Sequence, residues 1–154
     1  MANEVTCRYK NCLHNGDKLL KTEAVLDGKS TYYHPDCYQT KQEIQEIVRL
    51  FEGYVTTPVM RSQLYSVINN IVFAKSIGSN FLLFALKRHI SKKLPLNYPA
   101  GLNYIITDKS IKDEFYRHKV KQEMPKTAHS IKEDSGVSFN YKQNDGKTLE
   151  NLFD

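Results

Sequence analysis

Apolar residues in the middle of the chain recur at helical spacing. Their separations of three and four positions place them on one side of an α-helix. The first such set is Ile44, Ile47, Val48 and Phe51. Thr40 and Glu43 are spaced as a capping box inside the first turns, and Gly53 is expected to end the helix. The pattern predicts an amphipathic helix that ends near residue 53.

Two more amphipathic helices are predicted to follow. The first should begin at Thr57-Pro58, because threonine can act as the N-cap and proline fits the first helical turn. Ser79 can cap the next helix, which extends to about Lys93. The residues expected to face the core are Leu64, Val67, Ile68, Ile71 and Val72 in the first helix, and Leu82, Ala85, Leu86 and Ile90 in the second.

The sequence after these helices predicts two further ones. NYPAGLNYIITD indicates a short helix opened by Pro99. The last helix should run from about Asp108 to Lys121, with Ile111, Phe115 and Val120 on its apolar side. Together these segments predict a helical bundle.

The FLLF run at residues 81–84 is apolar on nearly every side of its helix. Two interpretations remain open for such a run. The helix can lie at the centre of the bundle, or the run can form a face reserved for a partner or a second copy of the chain.

The segments on either side of the helices have a different pattern. KLLKTEAVLDGKSTYY is typical of a β-hairpin, because Asp27-Gly28 is a two-residue turn signal that tolerates positive φ. From Met124 onward apolar residues become sparse, which predicts a flexible acidic tail. The predicted fold class is α+β, with a small hairpin-and-helix module at 1–54, a basic helical domain at 55–123 and the tail at 124–154.

Composition and charge narrow the class of protein. The 154 residues are 40% hydrophobic, and no run approaches the roughly 18 apolar residues of a spanning helix. The first residues lack the apolar stretch of a secretory signal, so we expect a cytoplasmic protein. The net charge of +5 is concentrated in residues 41–127, which carry about +7, whereas the last 27 residues carry about −2. This distribution favours nucleic acid as a partner over the alternative of a lysine-rich, solvated helical surface.

All three cysteines lie in the first quarter of the chain. Cys7 and Cys12 are the first and last residues of CRYKNC, and His34 and Cys37 are three positions apart in YYHPDCYQ. In a reducing cytosol metal ligation is a better use for them than a disulfide. Zinc prefers thiolate and imidazole ligands in a tetrahedral arrangement. The two pairs have the spacings C-x4-C and H-x2-C and are separated by 21 residues, a pattern that predicts one structural Zn²⁺. His14 is a nearby histidine that could replace Cys12 as the fourth metal ligand.

These residues resemble the treble-clef zinc finger. In that fold a knuckle is followed by a hairpin and then by a helix that carries the last two ligands, and the predicted elements of this chain come in the same order. YYHPDCY is similar to the YHPxC run of LIM domains and poly(ADP-ribose)-polymerase-type fingers. The resemblance covers residues 7–54. It implies a closed structural site, which leaves no open metal position for catalysis. The first pair is spaced C-x4-C where those families usually have C-x2-C, so their particular functions are not carried over.

Basic residues are the candidate contacts to nucleic acid. Cations clustered on a helix can bind phosphates and release counterions, which makes affinity fall with salt. The candidates are Arg8, Lys10, Lys87, Arg88, Lys92, Lys93, Arg117, Lys119 and Lys121. The apolar start of the FLLF helix disfavours sequence-specific reading in the major groove.

The helical segment from FEGYVTTP to about YRHK resembles the DnaD-like domain of Gram-positive and phage replication-initiation proteins. FALK at residues 84–87 and YII at 104–106 would be the counterparts of the family motifs. The resemblance implies DNA binding and primosome contact through the basic helix and the residues after YII.

The chain ends in KTLENLFD, where Leu149, Leu152 and Phe153 form an isolated apolar cluster. The pattern resembles the hexapeptide motif that binds the bacterial sliding clamp, with Thr148 in place of the usual glutamine. The resemblance implies docking on a clamp or another replisome protein. Docking of this segment on its own domain is the alternative.

The leading functional hypothesis is a non-enzymatic nucleic-acid-binding accessory protein in replication, recombination or transcription control. A composition rich in lysine, asparagine and isoleucine fits a low-GC bacterium, a phage or a mobile element. The alternative is a phage- or element-encoded inhibitor of a host protein, such as RNA polymerase, a replication factor or a defence nuclease. An enzyme is disfavoured, because the sequence offers no convergent nucleophile, base or open metal position.

Overall fold

The computed structural model describes residues 3–124 of the chain. Four short strands form two antiparallel hairpins in this part of the protein. β1 (Glu4–Thr6) pairs with β2 (Lys18–Leu20), and β3 (Val25–Asp27) pairs with β4 (Thr31–Tyr33). Each hairpin is only three residues long on either side, so neither is stable by strand pairing alone.

The turn predicted at Asp27-Gly28 is confirmed, with one correction. Gly28 has φ of +73°, a left-handed conformation that glycine adopts without strain. Asp27 pairs with Thr31, so the turn contains three residues rather than two. A second correction concerns KLL at the start of this segment, which lies in β2 and pairs with β1 instead of extending the β3–β4 hairpin.

Between the last strand and residue 124, the chain forms five α-helices. They are α1 (Pro35–Tyr54), α2 (Arg61–Asn69), α3 (Ser79–Ser91), α4 (Gly101–Ile105) and α5 (Lys109–Glu123). α2 continues as a π-helical turn, Asn70–Ala74. The combination of helices with two small hairpins confirms the α+β class.

The predicted N-caps of α2 and α3 are wrong, because the side chains expected to cap these helices form hydrogen bonds to distant residues instead. α2 begins at Arg61 rather than at Thr57-Pro58, and the Thr57 hydroxyl donates to the carbonyl of Asn97 at 3.0 Å. Ser79 does not cap α3, whose N-cap is Gly78; the Ser79 hydroxyl donates instead to the Glu43 carboxylate.

Two boundaries of α1 also need correction. The capping box predicted at Thr40 and Glu43 is wrong, because α1 already begins at Pro35 and both residues lie well inside it. Gly53 does not end the helix, which continues to Tyr54.

The helices enclose the main apolar core. Its fully buried large side chains include Phe51, Ile47, Leu64, Ile68, Ile71, Leu82, Leu86, Leu102 and Ile111. Within the FLLF run Leu82 is fully buried, and Phe81, Leu83 and Phe84 are partly buried against the same core. This packing favours the core interpretation of the run. A much smaller buried cluster of Cys7, Tyr33 and Cys37 lies near the hairpins.

The residues through Glu123 form one compact unit. The domain boundary predicted at residue 54 stays a prediction, and it falls where α1 ends. Within residues 3–124, none of the helices combines the length and the apolar character needed to cross a lipid bilayer. The tail at 125–154, with its candidate docking residues Leu149, Leu152 and Phe153, lies outside the described residues.

Candidate metal centre and basic groove

The four predicted metal ligands come together at the junction of the hairpins with α1. Cys7 directly follows β1, and Cys12 lies in the knuckle between β1 and β2. His34 is the residue that precedes α1, and Cys37 lies in the first turn of that helix. The backbone N–H of Arg8 donates to the Tyr32 carbonyl at 3.0 Å, which holds the knuckle beside β4.

The ligand atoms of Cys12, His34 and Cys37 have the spacing of a tetrahedron's edges, and Cys7 lies close to them. All four atoms lie within 4.8 Å of one another. The Cys12 and Cys37 sulfurs are 3.8 Å apart, and the His34 Nδ1 lies 3.5 Å from Cys12 and 3.9 Å from Cys37. A tetrahedron with metal–sulfur bonds of about 2.3 Å has sulfur–sulfur edges of about 3.8 Å. The cluster could therefore hold a metal ion.

Burial of the sulfurs favours the same conclusion. Cys37 is fully buried, Cys7 and His34 are nearly so, and none of the three cysteines is in a disulfide. Without a cation, burial raises the pKa of Cys37 to about 12, and the sulfurs of Cys12 and Cys7 also raise it. A bound metal ion would reverse this, because a coordinating thiol is deprotonated outright.

The backbone of the knuckle supplies a donor to the buried sulfur. The N–H of Leu13 lies 3.4 Å from the Cys37 sulfur and donates to it. For Cys12, burial opposes ionisation, but hydrogen bonds from the backbone N–H groups of His14 and Gly16, together with those from the Cys37 and Cys7 side chains, outweigh it and lower the pKa of that thiol. These donors stabilise the thiolate forms that a metal ion requires.

His14 and Asp36 form a pair beside the cluster that the sequence did not predict. The His14 Nε2 lies 2.7 Å from the Asp36 Oδ2, and the His14 ring lies 4.3 Å from the His34 ring between centroids. Burial opposes ionisation of Asp36, but the contact from His14 outweighs it and lowers the pKa of the carboxyl. The structure thus places Cys12 in the ligand cluster and gives His14 a carboxylate partner. Their separation of 22 positions left no local pattern by which to find this pair.

The predicted basic residues of α3 and α5 meet in a groove between these two helices. One hollow of this groove, of about 300 Å³, is called here the arginine hollow. Its lining residues are Phe84, Arg88, Glu114, Arg117, His118 and Lys121. Cations almost 30 positions apart in the sequence therefore face one depression.

Positive charge exceeds negative charge in the arginine hollow. Glu114 accepts a hydrogen bond from Arg88, and this bond lowers the pKa of Glu114 with help from the nearby charges of Lys92 and Arg117. One carboxylate is thus surrounded by three cations, with Lys121 as a further cation in the lining. An excess of this kind attracts anions.

A neighbouring hollow of about 400 Å³ lies against the N-terminal half of α1 and is called here the amide hollow. It shares Phe84 and His118 with the arginine hollow. The other residues that line it are Gln39, Glu43, Asn80, Leu83, Lys87, Phe115, Lys119, Gln122 and Glu123. Its two lysines and two glutamates balance, so its character is set by amides and aromatic rings.

The remaining candidate cations do not line either hollow. Lys92 and Lys93 are exposed just after the end of α3. Arg8 lines a separate depression with Ser30 and Tyr32 beside β1, and Lys10 is exposed in the knuckle. Neither Arg8 nor Lys10 lines the groove between α3 and α5.

Comparison of the chain with protein families, with curated proteins and with solved structures finds no match. The features that characterise this chain are therefore its two sites. One is a cluster of three cysteines and a histidine that could hold a metal ion, and the other is a groove with excess positive charge.

Proposed function

We propose that this protein is a non-enzymatic nucleic-acid-binding accessory protein braced by one structural Zn²⁺. The observation that carries the proposal is the convergence of Arg88, Arg117 and Lys121, from distant parts of the sequence, on a single hollow. Phosphate groups are the common biological anions that such a set of cations fits. Replication, recombination or transcription control is the setting in which such an accessory protein would act.

Zinc is the proposed ion because of the ligand set. Three thiolates and an imidazole select a soft or borderline metal, and four protein ligands in a tetrahedron are the arrangement of a structural zinc site. The order of the ligands supports a treble-clef-type finger, since two come from the knuckle after β1 and two from the start of α1. With all four positions filled by protein, the ion would organise the fold rather than activate water.

The zinc finger and the groove are joined through α1 in this proposal. Cys37 fixes the first turn of α1, and the same helix packs along α3. Glu43 of α1 accepts a hydrogen bond from Ser79, the first residue of α3. The metal ion would thereby hold one wall of the groove in place.

A binding assay with matched charge variants tests the proposal. The metal-loaded full chain is titrated into fluorescent single-stranded and duplex oligonucleotides at 50, 100 and 200 mM salt, and anisotropy is measured. Arg117→Gln/Lys121→Gln, both in the arginine hollow, should weaken binding and should reduce the slope of log affinity against log salt by about 1.5, because two phosphate contacts are lost. Lys29→Gln/Lys109→Gln removes the same charge from exposed positions outside the groove and should leave the slope unchanged.

Two outcomes would contradict the proposal. One is equal loss in the two double variants, which would mean that only net charge matters. The other is failure of every oligonucleotide to bind at 50 mM salt, while a protein partner from a bacterial lysate stays bound after nuclease treatment. The second result would favour the inhibitor hypothesis instead.

A further inference from the structure

The groove between α3 and α5 is lined by aromatic side chains, which phosphate binding alone does not require. Phe84 and His118 line both hollows and have ring centroids 5.9 Å apart, so the two rings form the wall between the hollows. Phe115 lies 5.3 Å from Phe84 and lines the amide hollow. Aromatic side chains beside cations are the combination on which unpaired bases stack.

The amide hollow has the chemistry of a base site rather than a phosphate site. Gln39, Asn80 and Gln122 bring side-chain amides to it, and Leu83 contributes apolar surface beside the rings. Amides can both donate and accept hydrogen bonds, as the edges of bases do. Since its lysines and glutamates balance, the hollow offers little attraction to a phosphate.

We propose that the groove binds single-stranded nucleic acid, with an unpaired base in the amide hollow and its phosphate in the arginine hollow. This inference rests on the proposed nucleic-acid binding and names the form of nucleic acid that it takes. The shared wall of Phe84 and His118 would lie against the base, while Arg88, Arg117 and Lys121 face the backbone. A base paired within a duplex cannot enter the hollow, so duplex binding would use the cations alone.

Three oligonucleotides of equal length in nucleotides or base pairs separate the two parts of this proposal. They are a 12-nucleotide oligothymidine, the same strand with abasic sites, and a 12-base-pair duplex, each titrated by anisotropy at matched salt. The oligothymidine should bind about tenfold or more tightly than the abasic strand, because stacking contributes only when bases are present. An oligouridine of the same length shows whether the site prefers RNA or DNA.

Two variants probe the base site without removing charge. Phe84→Leu keeps apolar bulk but removes the aromatic face, and it should lower affinity for oligothymidine about fivefold with no change in salt slope. Phe81→Leu is the matched control, since Phe81 is partly buried on the same helix but lines neither hollow. Gln122→Ala, at an exposed position of the amide hollow, should also weaken oligothymidine binding, whereas Gln45→Ala on the exposed side of α1 should not.

The results distinguish failure of this inference from failure of the proposed function. Equal affinity for the oligothymidine and the abasic strand, or equal effects of Phe84→Leu and Phe81→Leu, would overturn the base site while salt-dependent binding remains. If Phe84→Leu alters the circular dichroism spectrum, Gln122→Ala decides the question, because its side chain is exposed. Absence of salt-dependent binding to all three oligonucleotides would remove the proposed function itself.

Discussion

Cys37 is the residue through which the cysteine–histidine cluster is attached to α1. Its sulfur lies 3.8 Å from Cys12, 3.9 Å from the His34 Nδ1 and 3.4 Å from the backbone nitrogen of Leu13. The residue is fully buried and belongs to the first turn of α1. Loss of its thiolate would therefore affect both the metal ion and the position at which the helix begins.

Cys37→Ser is expected to abolish stoichiometric metal binding. A serine hydroxyl has a high pKa and is a hard donor, so it cannot replace a thiolate in a site with two other sulfurs. Metal content measured by elemental mass spectrometry after buffer exchange should fall from one zinc per chain to well below one. Retention of a full equivalent in this variant would remove Cys37 from the ligand set.

His14→Ala and Cys12→Ser test which of two neighbours is the fourth ligand. Cys12 has its sulfur 3.5 Å from the His34 Nδ1, whereas His14 is paired with Asp36. We expect Cys12→Ser to lose the metal and His14→Ala to keep one equivalent, measured with the same assay. The reverse result would mean that His14 is the ligand and that Cys12 only packs beside the site.

Among the elements, the hydrophobic pattern predicted the helices well and their starting points poorly. The apolar faces of α1 and α3 are buried as expected, because spacing along a helix determines which side chains share a face. The start of α2 was misplaced because Thr57 bonds to the carbonyl of Asn97, 40 positions away. Such a long-range partner competes with the local capping role and leaves no trace in the local sequence.

For the candidate sites too, the sequence predicts what depends on local spacing and misses what depends on long-range packing. The cluster of three cysteines and a histidine was predictable, since cysteine and histidine pairs at close spacing indicate metal-binding chemistry before the fold is known. The basic groove was predictable only as two separate clusters around residues 87–93 and 117–121. Its aromatic wall was not, because the contact of Phe84 with His118 depends on how α3 packs on α5.

The bond between α1 and α3 gives a prediction at the scale of these elements. Ser79 is buried and donates its hydroxyl to Glu43, so Ser79→Ala leaves the carboxylate without this donor. The free energy of unfolding, measured by urea denaturation, should fall by about 1–3 kcal/mol. Ser66→Ala removes an exposed hydroxyl from α2 and should change stability by less than about 0.5 kcal/mol. Similar values for both variants would show that the α1–α3 bond contributes little.

At the scale of the molecule, two cores of unequal size share α1. The helical core contains large side chains such as Phe51 and Leu64 that are fully buried. The cluster near the hairpins has only Cys7, Tyr33 and Cys37 as buried members, two of which belong to the cysteine–histidine cluster that could hold a metal ion. Apolar burial can therefore stabilise the helices without metal, whereas under the proposed function the hairpins would depend on the ion.

Removal of the metal should accordingly unfold one part of the protein and spare the other. After treatment with a strong zinc chelator, trypsin is expected to cleave rapidly at Lys18, Lys21 and Lys29, which are exposed in the hairpin region. A fragment that begins after Lys29 and contains α1 to α5 should persist, because its core, which includes Phe51 of α1, loses no buried side chain with the ion. The cleavage products are identified by mass spectrometry, and re-addition of zinc before trypsin serves as the control. Uniform cleavage throughout residues 3–124 would mean that the metal stabilises the helical core as well, and that the two cores unfold as one unit.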